Sequence, residues 1–300
     1  MSRALRIGLA GLGTVGSQVA ESVLSGVIPG VSLSAVCARD KTRDRGVDLS
    51  TVRWVDHPND LAEAGDVDII VELIGGTGDP AAALIDAALA AGKSVVTANK
   101  ALLAARAMHL AVISEASGAS LAYEAAVAGG IPVIKTLREA LAGNKITRVC
   151  GILNGTCNYI LSQMESAGLS FDAALRDAQA LGFAEAEPEL DISGMDAAQK
   201  LSLLAGLAFN IQPDTSLISV TGIEAITDQD ISYAGEFNSV IRLIGLAAET
   251  PEGLVQCVSP MLVRREHTLA QVKNELNAVM LEAQPVGQLF LQGPGAGGGA

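Results

Sequence analysis

Short apolar runs alternate with helical patterns over the first 130 residues of the chain. LRIGLA (5–10), VSLSAVCA (31–38), VDIIVELI (67–74), KSVVTA (93–98) and ASLAYE (119–124) read as strands. The central ones are apolar throughout, as strands covered on both faces should be. Between them, TVGSQVAESVLSG, DPAAALIDAALAAG and KALLAARAMHLAVISEA carry helical spacing. Strand–helix alternation at this interval predicts an α/β fold with a doubly wound parallel sheet of the Rossmann type. After Gly129-Gly130 the rhythm changes. KITRVCGIL predicts a strand, a helical block runs from about Thr156 to Phe209, and GLVQCVSPMLV, LNAVMLE and GQLFLQG predict strands from about Gly253 onward. That is a second, α+β unit, with the expected boundary between residues 130 and 131.

Composition narrows this picture. The 300 residues suffice for about two domains. Apolar residues make up 49% and aromatics 3%, a profile that suits helices on a buried sheet rather than a disordered chain. The formal net charge of −13 argues against nucleic acid or an anionic membrane as partner, because both reward a basic surface. No apolar run is long enough to cross a bilayer. The amino-terminal MSRALRIGLAGLG has basic residues before an apolar run, but its glycines fit a strand entering a loop better than a signal peptide. The four cysteines (Cys37, Cys150, Cys157, Cys257) show no C-x-x-C spacing, so a reduced, cytoplasmic compartment is expected.

Chemistry first appears at Gly11-Leu12-Gly13-Thr14-Val15-Gly16, directly after a strand and opening a helix. In that context G-x-G-x-x-G predicts a dinucleotide site. Gly11 permits the turn, Gly13 lets backbone approach a pyrophosphate, and Gly16 allows close helix–strand packing. The amides and positive dipole end of the helix would hold the phosphate charge. The second strand then ends in Cys37-Ala38-Arg39-Asp40-Lys41-Thr42-Arg43. A carboxylate about 20 residues on would bind the ribose 2′-hydroxyl of NAD. Here Arg39 takes the expected place with Lys41 close behind, which favours NADP, whereas Asp40 would favour NAD if the strand ended one residue later.

Two further stretches carry candidate groups. Thr97-Ala98-Asn99-Lys100 closes the fourth strand, so Lys100 falls beyond a carboxyl end, where ligands of open α/β sheets bind; it could also simply begin a helix. In AEAEPELDISGMDAAQKLSLLAGL, Asp196 and Lys200 lie one helical turn apart, on the side that Leu203, Leu204 and Leu207 would bury. An i,i+4 ion pair at the rim of that stripe is the plain explanation.

GLGTVG, TANKALLA, YEAAVAGGIPVI, ILNGTCNYIL and LGFAEAEPELDISGMDAAQKL, in this order, resemble homoserine dehydrogenase over essentially the whole chain. The resemblance implies reversible NAD(P)-dependent interconversion of L-homoserine and L-aspartate 4-semialdehyde, on the route to threonine and methionine. It implies that Asp196 and Lys200 of D-x-x-G-x-D-x-x-x-K face the substrate, together with Glu185, Asp191, Gly155 and Thr156. Carboxylates suit the ammonium of an amino acid, which would explain charge on a buried stripe. Gly75, Thr97, Lys100 and Gly182 join the cofactor set, beside Gly11, Gly13, Thr14, Val15, Gly16, Arg39 and Lys41. A monovalent cation, sodium by resemblance, would lie at Glu124, Val127, Gly129 and Ile131, largely on backbone carbonyls.

The same resemblance assigns residues 1–130 to dinucleotide binding and 131–285 to substrate binding and homodimerisation. Residues 286–300 are expected to return to the first domain, which makes GPGAGGGA a functional loop rather than a linker. Alcohol oxidation requires the hydroxyl proton to leave as hydride departs, and a lysine can take it if burial or a second cation makes it basic near neutrality. Lys100 and Lys200 are the candidates, with Lys200 preferred for the proton. Two rivals remain. Cys157, at a helix start, could be the nucleophile of an aldehyde dehydrogenase, though His57, His109 and His267 offer no evident base. A nucleotide-sensing module without turnover is the other, although the set Glu185, Asp191, Asp196 and Lys200 is complete.

Overall fold

The computed structural model describes residues 3–296, and the chain divides into two compact units, Met1–Ala126 and Val127–Ala300. The first contains β1 (Leu5–Ala10), α1 (Thr14–Leu24), β2 (Val31–Cys37), β3 (Arg53–Trp54), α2 (Asn59–Glu63), β4 (Ile69–Glu72), α3 (Ala81–Ala90), β5 (Ser94–Thr97), α4 (Lys100–Ser117) and β6 (Leu121–Ala122). The strands pair in the order β3-β2-β1-β4-β5-β6, all parallel. The chain leaves β1 toward one edge and returns beside it to fill the other. The strand order therefore reverses between β1 and β4, and a crevice opens outside their carboxyl ends. Ile7, Leu9, Ala20, Val23, Val36 and Val71 knit sheet and helix into one core cluster. Asn99 starts α4 by accepting the Leu102 amide at 3.2 Å, and Gly118 ends it in left-handed backbone at φ 71°.

The second unit contains α5 (Val133–Lys135), β7 (Lys145–Ile152), α6 (Gly155–Ala167), α7 (Phe171–Ala180), α8 (Glu189–Ile192), α9 (Met195–Phe209), β8 (Ser219–Val220), α10 (Asp228–Glu236), β9 (Ser239–Thr250), β10 (Gly253–Arg264), β11 (Leu276–Gln284) and β12 (Gly287–Pro294). Its sheet runs β12-β11-β7-β9-β10-β8, antiparallel except for the β10–β8 pair. One difference from the sequence expectation stands out. β9 (SVIRLIGLAAET) lies inside the sheet, although the pattern gave no strand between KITRVCGIL and Gly253. Strands buried on both faces do not alternate, and LIGLAA is as good a helix composition as a strand one. Over its described part the stretch 286–300 forms β12, residues 287–294, hydrogen-bonded to β11 at an edge of the second sheet. Residues 297–300 of the glycine-rich segment lie outside the described residues.

Candidate active site

In the first unit, the turn after β1 has the geometry a dinucleotide phosphate requires. Gly11 sits at φ +97°, and a Cβ there would strike the Leu73 carbonyl. A Cβ on Gly16 would strike the Gly11 carbonyl, so helix and turn meet backbone to backbone. Gly13 differs: among the described residues a Cβ there would meet nothing within 4 Å, which leaves space in front of the turn. α1, carrying Thr14, Val15 and Gly16, starts without a side-chain cap and with no acidic residue in its first turn. Uncapped amides and a dipole end uncompensated by carboxylate fit a pyrophosphate.

The loop after β2 displays Arg39 and Arg43 to solvent. Lys41 pairs with Asp56 at 2.6 Å, both side chains well exposed. Asp40 is occupied by its own turn. It accepts from the Thr42 hydroxyl at 2.7 Å and the Thr42 amide at 2.8 Å, and these bonds hold its carboxyl below the usual range. Arg45, two residues beyond Arg43, stacks over the Trp54 ring with 5.5 Å to the centroid.

A residue absent from the sequence candidates holds the carboxyl edge together. Glu72, the last residue of β4, is fully buried. Its Oε1 accepts the amides of Ile74 (2.7 Å) and Gly75 (3.0 Å), and its Oε2 accepts the Thr97 hydroxyl at 2.6 Å. Thr97 Oγ1 in turn accepts the Asn99 amide at 3.0 Å, and Asn99 Nδ2 donates to the Gly76 carbonyl at 2.8 Å. One carboxylate thus ties the glycine loop after β4 to Thr97 and to the start of α4, where Lys100 is the first residue.

In the second unit, Asp196 and Lys200 do pair, Oδ2 to Nζ at 2.8 Å, but in the interior rather than at a rim, with side chains 10% and 12% exposed. Lys200 also donates to the Leu153 carbonyl at 2.8 Å. That carbonyl accepts a second bond from buried Asn277 Nδ2 at 3.1 Å. Asn154, the N-cap of α6, uses its whole carboxamide. Oδ1 accepts the Cys157 amide at 2.8 Å, while Nδ2 donates to Asp191 Oδ1 (2.7 Å) and Asp196 Oδ2 (2.8 Å). Thr156 Oγ1 lies 2.7 Å from the Phe183 carbonyl and 3.1 Å from Asp191 Oδ2. A hydroxyl has one proton, so it serves one of these at a time. Burial, and then the neighbouring Asp196, push the Asp191 carboxyl above its ordinary value of 3.8 despite the Asn154 and Thr156 bonds.

Gly155 opens α6 against the Glu275 carbonyl, where a Cβ would be 2.5 Å from oxygen. Asp191, Asp196, Lys200 and Thr156 are therefore brought into one hydrogen-bonded cluster, with Gly155 at its edge. Glu185 is exposed, and its carboxylate makes no bond to the cluster among the described residues. Its carbonyl accepts from Gln179 Nε2 at 3.1 Å. Gly182 follows α7 in left-handed backbone at φ 78°, and Gly75 adopts φ 81°. Glu124 begins a short 3-10 turn, Glu124–Ala126, in the first unit. Val127, Gly129 and Ile131 belong to the second, where the Ile131 carbonyl accepts the Val133 amide at 2.7 Å. Cys157 is fully buried, and desolvation, reinforced by Asp191 and Asp196, drives its thiol well above its ordinary value. The thiolate an aldehyde dehydrogenase nucleophile needs is disfavoured there.

Family comparisons agree with this division. The profile described as homoserine dehydrogenase, NAD binding domain, matches residues 11–124, and the homoserine dehydrogenase profile matches residues 132–300. A homoserine dehydrogenase of Bacillus subtilis is 39% identical over 302 residues, covering 98% of this chain and 70% of the relative.

The chain belongs to the homoserine dehydrogenase family.

A homoserine dehydrogenase structure from Thiobacillus denitrificans superposes with a TM-score of 0.94 at 37% identity, covering 98% of this chain and 70% of that one. A hyperthermophilic archaeal homoserine dehydrogenase, solved in complex with NADPH, superposes with a TM-score of 0.82 at 26% identity, covering 99% of this chain and 93% of that one. The protein is thus an oxidoreductase of the homoserine dehydrogenase type, with a parallel-sheet domain for a pyridine nucleotide. Among the described residues no helix is long and apolar enough to cross a membrane.

Proposed function

We propose that this homoserine dehydrogenase interconverts L-homoserine and L-aspartate 4-semialdehyde with NADP preferred over NAD, and that Lys200 carries the proton. The observation behind this reading is the clamp on Lys200. Asp196 and the Leu153 carbonyl fix its Nζ from two directions in a nearly dry site. Bound nicotinamide nucleotide supplies the hydride acceptor or donor. In the reductive direction Lys200, ion-paired and loaded, gives its proton to the aldehyde oxygen. In the oxidative direction the same Nζ takes the hydroxyl proton as the C–H bond breaks. Lys100 is the second cation of this scheme and stabilises developing alkoxide charge. Asp191 receives the substrate ammonium; its raised carboxyl supports this reading, because a positive ligand would favour the ionised form. Gly155, Thr156 and Glu185 complete the substrate set.

Cofactor would be held by the Gly11–Gly16 turn, Gly75, Thr97 and Gly182, with Arg39 and Lys41 toward a 2′-phosphate. The engagement of Asp40 Oδ1 by Thr42 supports NADP, because only Oδ2 of that carboxylate is left for a ribose hydroxyl. Sodium would sit on the carbonyls of Val127, Gly129 and Ile131 with Glu124. A homodimer would form through the second sheet, where Leu246, Met261 and Phe290 remain only partly buried around the core cluster. The setting is cytoplasmic synthesis of threonine and methionine. The test is consumption of NADPH and of NADH by L-aspartate 4-semialdehyde, followed in the near ultraviolet. Faster turnover with NADPH is expected; a preference for NADH removes the cofactor assignment, and no turnover with either removes the reading.

A further inference from the structure

We propose that Arg45 sets the dinucleotide preference by stapling the loop after β2 to the phosphate-binding turn. This rests on the NADP reading above. The guanidinium reaches two segments that are distant in sequence. Its Nε donates to the Leu12 carbonyl, inside the glycine turn, at 3.2 Å. Nη1 donates to the Arg43 carbonyl at 2.7 Å, and Nη2 donates to the Asp40 carbonyl. Its guanidinium carbon lies over the Trp54 ring, 5.5 Å from the centroid, at the end of β3. Every donor in this set points at protein backbone, so Arg45 spends its fork on shaping the loop.

The loop it shapes carries Arg39, Lys41 and Arg43. Ordering an exposed loop of long side chains costs conformational entropy at the moment of binding, unless the protein has ordered it beforehand. A nucleotide bearing a 2′-phosphate uses that loop; one bearing a 2′-hydroxyl gains little from it. Arg45 therefore strengthens NADPH binding and leaves NADH binding nearly untouched. Lysine cannot replace it. A single ammonium on a flexible stem keeps the charge but cannot hold three carbonyls in one plane.

The test compares wild type, Arg45→Met and Arg45→Lys for dissociation constants of NADPH and NADH, read by nucleotide fluorescence. Trp54, the only tryptophan in the sequence, reports the stack directly through its emission. Both variants are expected to lose at least about tenfold in NADPH affinity, with NADH changed less than about threefold. Trp54 emission should shift in Arg45→Met. A wild-type ratio retained in Arg45→Lys would show that charge alone acts, and equal weakening of both nucleotides would show a general role in the turn. Either overturns the inference while leaving the NADP reading intact, as would unchanged Trp54 emission in Arg45→Met. A wild-type preference for NADH overturns the reading and the inference together.

Discussion

Glu72 and Asp191 are both carboxylates withdrawn from water, yet their surroundings prepare them for opposite tasks. Glu72 receives hydrogen bonds from two amides and a hydroxyl, with no like charge among its bonded partners. Such a group is a bolt: fixed donors occupy both its oxygens, and it holds Gly75, Thr97 and the start of α4 in register. Asp191 receives bonds from Asn154 and Thr156, but Asp196 stands close enough to oppose its ionisation. Burial alone therefore does not distinguish structure from function. On the function proposed above, what distinguishes them is whether the protein itself completes the partner set or leaves part of it to a ligand.

Removing the cation from the second site tests this most severely. Lys200→Met should lower turnover by about 10²–10⁴-fold through loss of proton transfer. It should also cost about 3–5 kcal/mol of stability, because Asp196 is left buried without its counter-charge. Replacing Asp196 as well, in a Lys200→Met/Asp196→Leu protein, should recover melting temperature but not turnover. Recovery of both would make the pair structural and end the contrast with Glu72.

Glu72→Gln comes next. One amide cannot accept from Ile74, Gly75 and Thr97 as two oxygens do, so about 1–3 kcal/mol should be lost in thermal unfolding. The cofactor KM should rise more than the substrate KM, at every pH tested. An unaltered cofactor KM would show that the bolt does not reach the nucleotide site.

Asp191→Asn separates the two carboxylates by pH. Because the folded carboxyl titrates above 3.8, native Asp191 retains its proton where the unfolded chain has lost it. Its contribution to stability is present at low pH and is lost as pH rises through that window. Free Asp191→Asn should therefore unfold at a higher temperature than wild type at neutral pH, with the difference closing in acid. The wild-type KM for L-homoserine should rise as pH falls and the carboxylate is neutralised, whereas the variant should give a flat profile. The smallest effect belongs to a neutral neighbour. Cys157→Ala, a change at a fully buried thiol next to Asp191, should leave turnover nearly unchanged, and a collapse of activity would revive the nucleophile.

The parallel sheet was legible because its strands are short apolar runs bounded by glycine turns, and LRIGLA coincides with β1 to the residue. β9 was not, since a strand covered on both faces loses the period that would have revealed it. The ion pair of Asp196 and Lys200 could be read from i,i+4 spacing, but not its depth: nothing in the helix says that Asn154 and the Leu153 carbonyl wait across from it. Asn154 had a signal, an Asn directly before a helical run, as N-caps often are. Glu72 had none. It sits in VDIIVELI, where a carboxylate after an apolar run looks like a strand end, and only the folded loops after β4 and β5 supply its donors. Glu185 followed from resemblance, and its side chain is exposed in the stretch between buried Ala184 and buried Pro188.

Gly13 offers a use of its own. Among the described residues nothing occupies the space that a side chain there would enter, and its backbone at φ −79° is open to any residue. Gly13→Ala should therefore fold and melt as wild type while obstructing the nucleotide, giving a separation-of-function variant. With it, spectroscopic changes caused by substrate alone could be recorded in a protein that is intact but idle, a control that substitutions at jammed Gly11 or Gly16 could never provide.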